Sequence, residues 1–136
     1  MNDLDARVIE EFRANGGYVG GSLSGTPMLL LHHIGARSGI ERVTPLACSR
    51  RPDGGIAVIA SNGGSPTHPA WYHNLKAHPR VTIEMGTEAF VAEAAELDDA
   101  ARADFWPELV AEAPTAGMYQ ARTARRIPVF ILNRVP

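Results

Sequence analysis

Apolar residues recur first at helical spacing and then at strand spacing along the chain. Leu4, Val8 and Phe12 lie four positions apart within residues 3–14, which predicts an amphipathic helix. Five glycines within residues 15–25 indicate a flexible connection after it. Short apolar or alternating runs follow and predict strands over residues 28–33, 43–49, 56–60, 80–85, 88–95 and 128–132.

Two further helices are predicted between these strands. One spans residues 69–77, and the other spans residues 98–113 with Asp98 as its N-cap. Because proline lacks an N–H and clashes with the preceding turn, Pro107 predicts a break or kink in the second helix. Pro114 predicts its end.

The order of elements favours a small barrel-like β core with flanking helices, a mainly β (α+β) fold. Strands follow one another through hairpin turns, such as the turn over residues 51–55, and do not alternate with helices. Residues 1–27 are expected to form an N-terminal helix and a glycine-rich connection, and residues 28–136 a single barrel domain. The last strand is apolar on both faces and is expected to be central.

Composition excludes several classes of function. The 136 residues carry a formal charge of −2, which argues against a general nucleic-acid binder. Cys48 is the single cysteine, so no internal disulfide can form, and we expect it to be a small core residue in a cytoplasmic protein. No apolar run reaches the roughly 20 residues that a membrane span needs.

Charge is unevenly distributed along the chain. Twelve of the 13 basic residues are arginine, with four in residues 37–51 and four in residues 113–136, while residues 84–112 carry nine acids. If the two basic segments meet, they form a site for a planar or multiply charged anion, which the arginine fork binds bidentately. Solvated surface in an arginine-rich sequence is the alternative.

Motifs for metal or nucleophilic chemistry are missing from the sequence. His32 and His33 are adjacent on a strand and point to opposite faces, while His68, His73 and His78 are scattered around a helix. No metal site is therefore predicted. Nucleophile-elbow, P-loop and dinucleotide glycine motifs are also missing, which argues against hydrolases and nucleotide-binding folds.

Two stretches retain a binding chemistry. Residues 35–42 place two arginines and Ser38 in a glycine-bounded connection, where backbone N–H groups can approach an anion closely. Residues 60–66 form a loop of backbone donors ahead of a helix that carries Trp71 and Asn74 on one face. The alternatives are a plain turn with solvated arginines and a Trp71 buried in the core.

These stretches and the C-terminal segment resemble one known family. Motifs of the deazaflavin (F420)-dependent nitroreductases and F420H2-dependent quinone reductases occur in the same order over residues 35–42, 44–46, 60–64, 69–79 and 119–128. The resemblance implies a split β-barrel, similar to FMN-binding barrels, that holds F420 in a groove. It further implies hydride transfer from reduced F420 to a quinone-like or other electron-poor acceptor.

The resemblance also assigns roles to individual residues. The segment that holds the phosphate and oligoglutamate tail of F420 matches Arg37, Ser38, Gly39 and Arg42. The positions that line the deazaflavin and its ribityl chain match Pro45, Ser61, Asn62, Gly63, Gly64, Ala70, Trp71 and Asn74. As catalytic residues, Ser61 is expected to hydrogen-bond near the reactive ring, and Tyr119 to cover or protonate the acceptor.

Four positions depart from the family pattern. Ala36 and Asn62 stand where relatives often carry basic residues, which removes one or two charges from the expected tail site. Ala113 and Ala116 stand near positions where nitroimidazole-activating relatives have tyrosines, so that Tyr119 alone remains. These replacements argue for a more open acceptor pocket and against nitroimidazole reduction.

Two alternatives to a reductase stay open on sequence grounds. A non-catalytic F420 carrier binds F420 without passing on a hydride, and an FMN-dependent split-barrel reductase uses the arginine loop for a single phosphate. The expected partners are a small-molecule acceptor such as menaquinone and a second copy of the chain, because open barrel edges are often covered by dimerisation. The predicted location is the cytoplasm, with any membrane contact peripheral at the inner face of the plasma membrane.

Overall fold

A computed structural model describes residues 3–136, and these fold into one sheet with helices packed around it. The strands are β1 (Met28–Ile34), β2 (Glu41–Ala47), β3 (Ser49–Arg50), β4 (Ile56–Ile59), β5 (Arg80–Met85), β6 (Glu88–Glu96) and β7 (Val129–Arg134). The α-helices are α1 (Asp3–Ala14), α2 (Ala70–Ala77), α3 (Asp99–Glu112) and α4 (Pro114–Ala121). Residues 1 and 2 of the predicted N-terminal segment lie outside the described residues.

The seven strands form an antiparallel sheet in the order β2-β1-β5-β6-β7-β4-β3. The two outermost strands, β2 and β3, are separated along the chain by Cys48 alone. A sheet whose two outer strands are covalently consecutive must curve round on itself, so it forms an open-edged half-barrel. β7 pairs with β6 on one side and β4 on the other, which confirms its predicted central place.

Alternation along β1 separates two hydrophobic clusters. Leu29 and Leu31 face the barrel interior, where Trp71 and Leu75 of α2 join them. Met28 and Leu30 face the outside and pack against Ile9 and Phe12 of α1. The predicted helix over residues 3–14 is therefore confirmed, and its apolar stripe covers one outer face of the sheet.

The single cysteine lies in the interior cluster. Cys48 is 9% exposed, and burial raises the pKa of its thiol to about 12, because the thiolate loses its hydration. The prediction of a small core residue is confirmed, and a thiol that stays protonated has little nucleophilic reactivity.

The structure corrects three details of the predicted elements. The expected strand over residues 43–49 is divided into β2 and β3, because the N–H of Cys48 turns to the carbonyl of Pro27 at 2.9 Å. The expected break at Pro107 was wrong, since α3 continues through it. Proline leaves the carbonyl of Ala103 without its helical partner, and Ala103 is an exposed residue. Pro114 ends α3 as predicted, and it also begins α4, which the sequence did not indicate.

Candidate functional site

Loops from distant parts of the chain meet at one end of the sheet. Because each strand from β1 through β5, β6 and β7 to β4 is antiparallel to its neighbour, β1, β6 and β4 all run the same way. The β1–β2 loop (residues 35–40) and the β4–α2 loop (residues 60–69) therefore lie at the same end. The segment over residues 122–128, which leads into β7, reaches this end as well.

The β1–β2 loop is a tight turn that leaves two of its backbone donors free. The N–H of Gly39 donates to the carbonyl of Gly35 at 3.0 Å, and Gly39 has a φ of +68°, which favours glycine. The N–H groups of Arg37 and Ser38 donate to nothing within residues 3–136. The side chains of Arg37 and of nearby Arg42 are exposed and make no ion pair in that range.

A buried side chain connects this loop to α2. Asn74 is 7% exposed, and its Oδ1 accepts from the N–H of Ala36 at 2.9 Å. Its Nδ2 lies 2.9 Å from Nδ1 of His33, whose Nε2 lies 2.8 Å from Oγ1 of Thr44. The sequence singled out Asn74 as a cofactor contact but missed His33, although the alternation of β1 placed His33 on the inner face.

The β4–α2 loop packs tightly against α4. Gly64 is buried with a φ of +82°, and a Cβ atom there would lie 2.9 Å from the carbonyl oxygen of Tyr119. Gly63 and Asn62 also have positive φ values, of 65° and 47°. The structure thus brings the backbone of Tyr119 next to the predicted binding loop. Ser61 begins this turn, and within the described chain its N–H and hydroxyl groups have no hydrogen-bond partner.

Arg125 fixes the same loop from the opposite side. Its guanidinium donates to the carbonyl oxygens of Ala60 at 3.1 Å, Ser61 at 2.8 Å and Ser65 at 3.0 Å. It also donates to Nδ1 of His68 at 2.9 Å. Arg125 is therefore occupied within the fold, and sequence reasoning, which placed it only in a basic segment, missed this structural role.

The remaining predicted site residues lie around these loops. Pro45 is half-buried on β2, and Ala70 is exposed at the first residue of α2. Trp71 is only 6% exposed, and its ring centroid lies 6.0 Å from that of Phe130. The alternative that placed Trp71 in the core therefore agrees with its packing, which leaves little of the indole for a ligand.

His32, on the outer face of β1, takes part in a separate ionic cluster. Its ring nitrogens each lie 2.6 Å from a carboxylate oxygen, one of Glu41 and one of Glu84, while Arg13 of α1 also pairs with Glu84 at 2.6 Å. His32 and His33 thus point to opposite faces, as predicted. Among residues 3–136, no group of three His, Cys, Asp or Glu side chains could hold a metal ion. Within the same residues, no helix has the length and apolar character to cross a bilayer.

Comparison with known proteins identifies the family. The family model described as F420H(2)-dependent quinone reductase matches residues 6–134. The chain belongs to this family. An F420H(2)-dependent quinone reductase of Mycobacterium tuberculosis is 40% identical over 128 residues, which cover 90% of this chain and 85% of that protein.

Two solved structures agree with this assignment. An F420-H2 dependent reductase (FDR-A) is 39% identical with a TM-score of 0.70, over 79% of this chain and 94% of that one. A structure described as a domain-swapped dimer is 35% identical with a TM-score of 0.71, over 94% of this chain and 93% of that one. The predicted split-barrel fold, the F420 dependence and the oxidoreductase class are therefore confirmed.

Proposed function

We propose that the loops at this end of the barrel hold reduced F420 and a quinone, so that the chain acts as an F420H2-dependent quinone reductase with menaquinone as its acceptor. The observation that carries the proposal is the convergence of two loops with free donors, the β1–β2 loop and the β4–α2 loop, at one end of the sheet. One loop carries Arg37, which suits an anionic tail. The other lies against the backbone of Tyr119 on α4, which supports placing the reacting ring at that loop.

The donor set of the β1–β2 loop fits the tail of F420. Phosphate and glutamate groups are anions. The loop offers the unpaired guanidinium group of Arg37 and two free backbone N–H groups, and the adjoining start of β2 offers the unpaired guanidinium group of Arg42. Ser38 adds a hydroxyl group, and Gly39 lets the backbone approach closely. These four residues are the proposed tail site.

The β4–α2 loop is the proposed site for the deazaflavin ring. When bound, reduced F420 supplies a hydride, so the protein needs no nucleophile of its own. Ser61 offers a free N–H and hydroxyl to the polar edge of the ring, while Arg125 holds the backbone carbonyl of Ser61 at 2.8 Å. Pro45 and Ala70 are proposed to contact the same ring or its ribityl chain, and so are Asn62, Gly63, Gly64 and Trp71. Asn74, whose amide is bonded at both ends, is assigned a different role below.

Tyr119 of α4 is proposed to act on the acceptor. Its hydroxyl group makes no hydrogen bond among residues 3–136, so its Oη can donate a proton to a quinone oxygen. On the same helix Met118 is 56% exposed, and it offers an apolar surface for a flat acceptor, whereas Ala116 is buried. Nitroimidazoles are expected to be poor acceptors, because Ala113 and Ala116 replace larger aromatic side chains.

Dimerisation and location belong to the same proposal. β2 pairs only with β1 within the described residues, so one sheet edge is open over Glu41–Ala47. A similar solved structure is a domain-swapped dimer, and we expect this chain to form a homodimer. We also expect a cytoplasmic protein that reaches membrane quinones by peripheral contact at the inner face of the plasma membrane.

The test is F420H2 reoxidation in the presence of a soluble menaquinone analogue, followed by absorbance with purified protein. Turnover is expected with F420H2, and none with reduced FMN. Tight F420 binding without turnover would favour the carrier, and turnover with FMN alone would favour the flavin enzyme. Tyr119→Phe is expected to lower kcat with little change in F420 affinity, and Tyr18→Phe, at an exposed tyrosine that follows α1, is the matched control.

A further inference from the structure

We propose that His33, acting through Asn74, is a positioning residue that fixes the β1–β2 loop in the shape that binds the anionic F420 tail. The inference rests on the tail site of the proposed function. It gives Asn74 a role different from direct contact with the deazaflavin. Both side chains are buried, with His33 3% and Asn74 7% exposed, and neither reaches solvent freely.

The hydrogen bonds of this network allow one arrangement of protons. The N–H of Ala36 can only donate, so the atom that it meets at 2.9 Å must be the carbonyl oxygen of the Asn74 side chain. The amide nitrogen of Asn74 then donates to Nδ1 of His33 at 2.9 Å, and Nδ1 must carry a lone pair. The proton of the ring therefore lies on Nε2, which donates to Oγ1 of Thr44 at 2.8 Å.

The surroundings of His33 keep its ring neutral. Burial, followed by the charges of Arg42 on β2 and of His32 on β1, lowers the pKa of His33 below its ordinary value. Helix α2 presents the neutral amide of Asn74 to the ring. If His33 gains a proton at acid pH, two donors face each other, and the amide of Asn74 must turn away. Ala36 then loses its acceptor.

The bond from Ala36 to Asn74 joins the loop to another element. The other hydrogen bonds of the loop that involve residues 3–136 run within residues 35–40, such as that from Gly35 to Ile40 at 2.9 Å. Ala36 directly precedes Arg37, whose free N–H and guanidinium belong to the proposed tail site. Without this bond the loop is less ordered. F420 binding must then offset the entropic cost of ordering the loop, which weakens the affinity.

The first test uses the protein without cofactor. Hydrogen exchange at the Ala36 amide, measured by NMR, is expected to become about tenfold faster in Asn74→Ala, as for the loss of one hydrogen bond. Asn74→Asp keeps the oxygen that accepts from Ala36 and is expected to restore protection. It is also expected to raise the pKa of His33, because a carboxylate accepts from a protonated Nδ1. Asn133→Ala, at an exposed asparagine on β7, is the control.

The second test separates positioning from direct contact. F420 and a tail-less deazaflavin, with the same ring and ribityl chain, are titrated by fluorescence into each variant. Asn74→Ala is expected to weaken F420 binding about tenfold and to leave the tail-less compound unchanged. His33→Phe leaves Asn74 in place without its partner. It is also expected to weaken F420 binding and to leave the binding of the tail-less compound unchanged.

The outcomes distinguish the inference from the proposed function. Equal loss of both ligands in Asn74→Ala, or an unchanged exchange rate at Ala36, would overturn the positioning role. If the unmodified protein binds F420 no better than the tail-less compound, the tail site itself is refuted. The exchange measurement still decides in that case whether His33 and Asn74 hold the loop.

Discussion

Removing the two free arginines of the proposed tail site should weaken F420 binding without harming the fold. Arg37 and Arg42 are exposed, so Arg37→Ala/Arg42→Ala breaks no ion pair and no side-chain hydrogen bond within the described residues. The change removes one positive charge from the β1–β2 loop and one from the start of β2, and the backbone hydrogen bonds of both segments remain. The free energy of unfolding is therefore expected to stay the same.

The size of the effect follows from the exposure of both side chains. An exposed ion pair contributes at most about 1 kcal/mol, so the two arginines together contribute about 2 kcal/mol. This corresponds to a rise of roughly 30-fold in the Kd of F420. The screening length falls from about 10 Å at 0.1 M salt to about 3 Å at 1 M. The difference in the Kd of F420 between the unmodified protein and the double variant should therefore shrink to a few-fold at high salt.

Fluorescence titration at both salt concentrations measures this effect. Arg7→Ala/Arg50→Ala removes two exposed arginines from α1 and β3, away from the loop, and is the control for a change in net charge. The reasoning is refuted if the control weakens binding as much as the double variant in the loop. It is equally refuted if the tail-less deazaflavin loses affinity to the same extent as F420.

Three further changes test the fold around the site. Gly64→Ala should cost at least about 1 kcal/mol more unfolding free energy than Gly54→Ala in urea titrations, because both positions have positive φ but only Gly64 faces backbone at 2.9 Å. Arg125→Lys should lower stability by about 1–2 kcal/mol, since lysine cannot reach the three carbonyls and the imidazole that the guanidinium bonds. The pKa of Glu84 is held at about 2, first by the hydrogen bond from Arg13, against an ordinary value of 4.5. The contribution of Glu84 to the free energy of unfolding is therefore complete above about pH 4.5 and is lost as the pH falls towards 2. In Glu84→Gln the free energy of unfolding should depend less on pH across that range.

Periodicity and capping predicted most of the fold, because both signals are local. The alternation of apolar residues gave β5 and β6 almost to the residue, and the side chain of Asp98 accepts from the N–H of Ala101 at 2.8 Å, as an N-cap does. Pro107 was misjudged because the cost of proline in a helix depends on whether the freed carbonyl reaches water. That exposure is a property of the fold and cannot be read from the local sequence.

The contacts that shape the site are long-range, and no local pattern encodes them. Arg125 binds loop residues 57 to 65 positions earlier, and His33 meets Asn74 across 41 positions. Motifs could place Asn74 in a site, but only the packing of α2 against β1 shows that both ends of its amide are already bonded. The sequence therefore singled out segments that meet at one end of the sheet, and the structure separates the side chains without hydrogen-bond partners from those that hold the loops in place.

The arginines near this end of the barrel are of two kinds, those whose side chains are bonded within the fold and those whose side chains are free. Arg37 and Arg42 have no partner among residues 3–136, whereas Arg125 is bonded to loop carbonyls and Arg126 pairs with Asp99 at 2.5 Å. The two basic segments do reach one end of the barrel, yet they do not present one continuous anion site. Arg125 holds the β4–α2 loop through its carbonyl oxygens, and the loop after β1 is the proposed site for anionic groups. Neutralising Arg125 and Arg126 should therefore change stability before affinity, and neutralising Arg37 and Arg42 should change affinity alone.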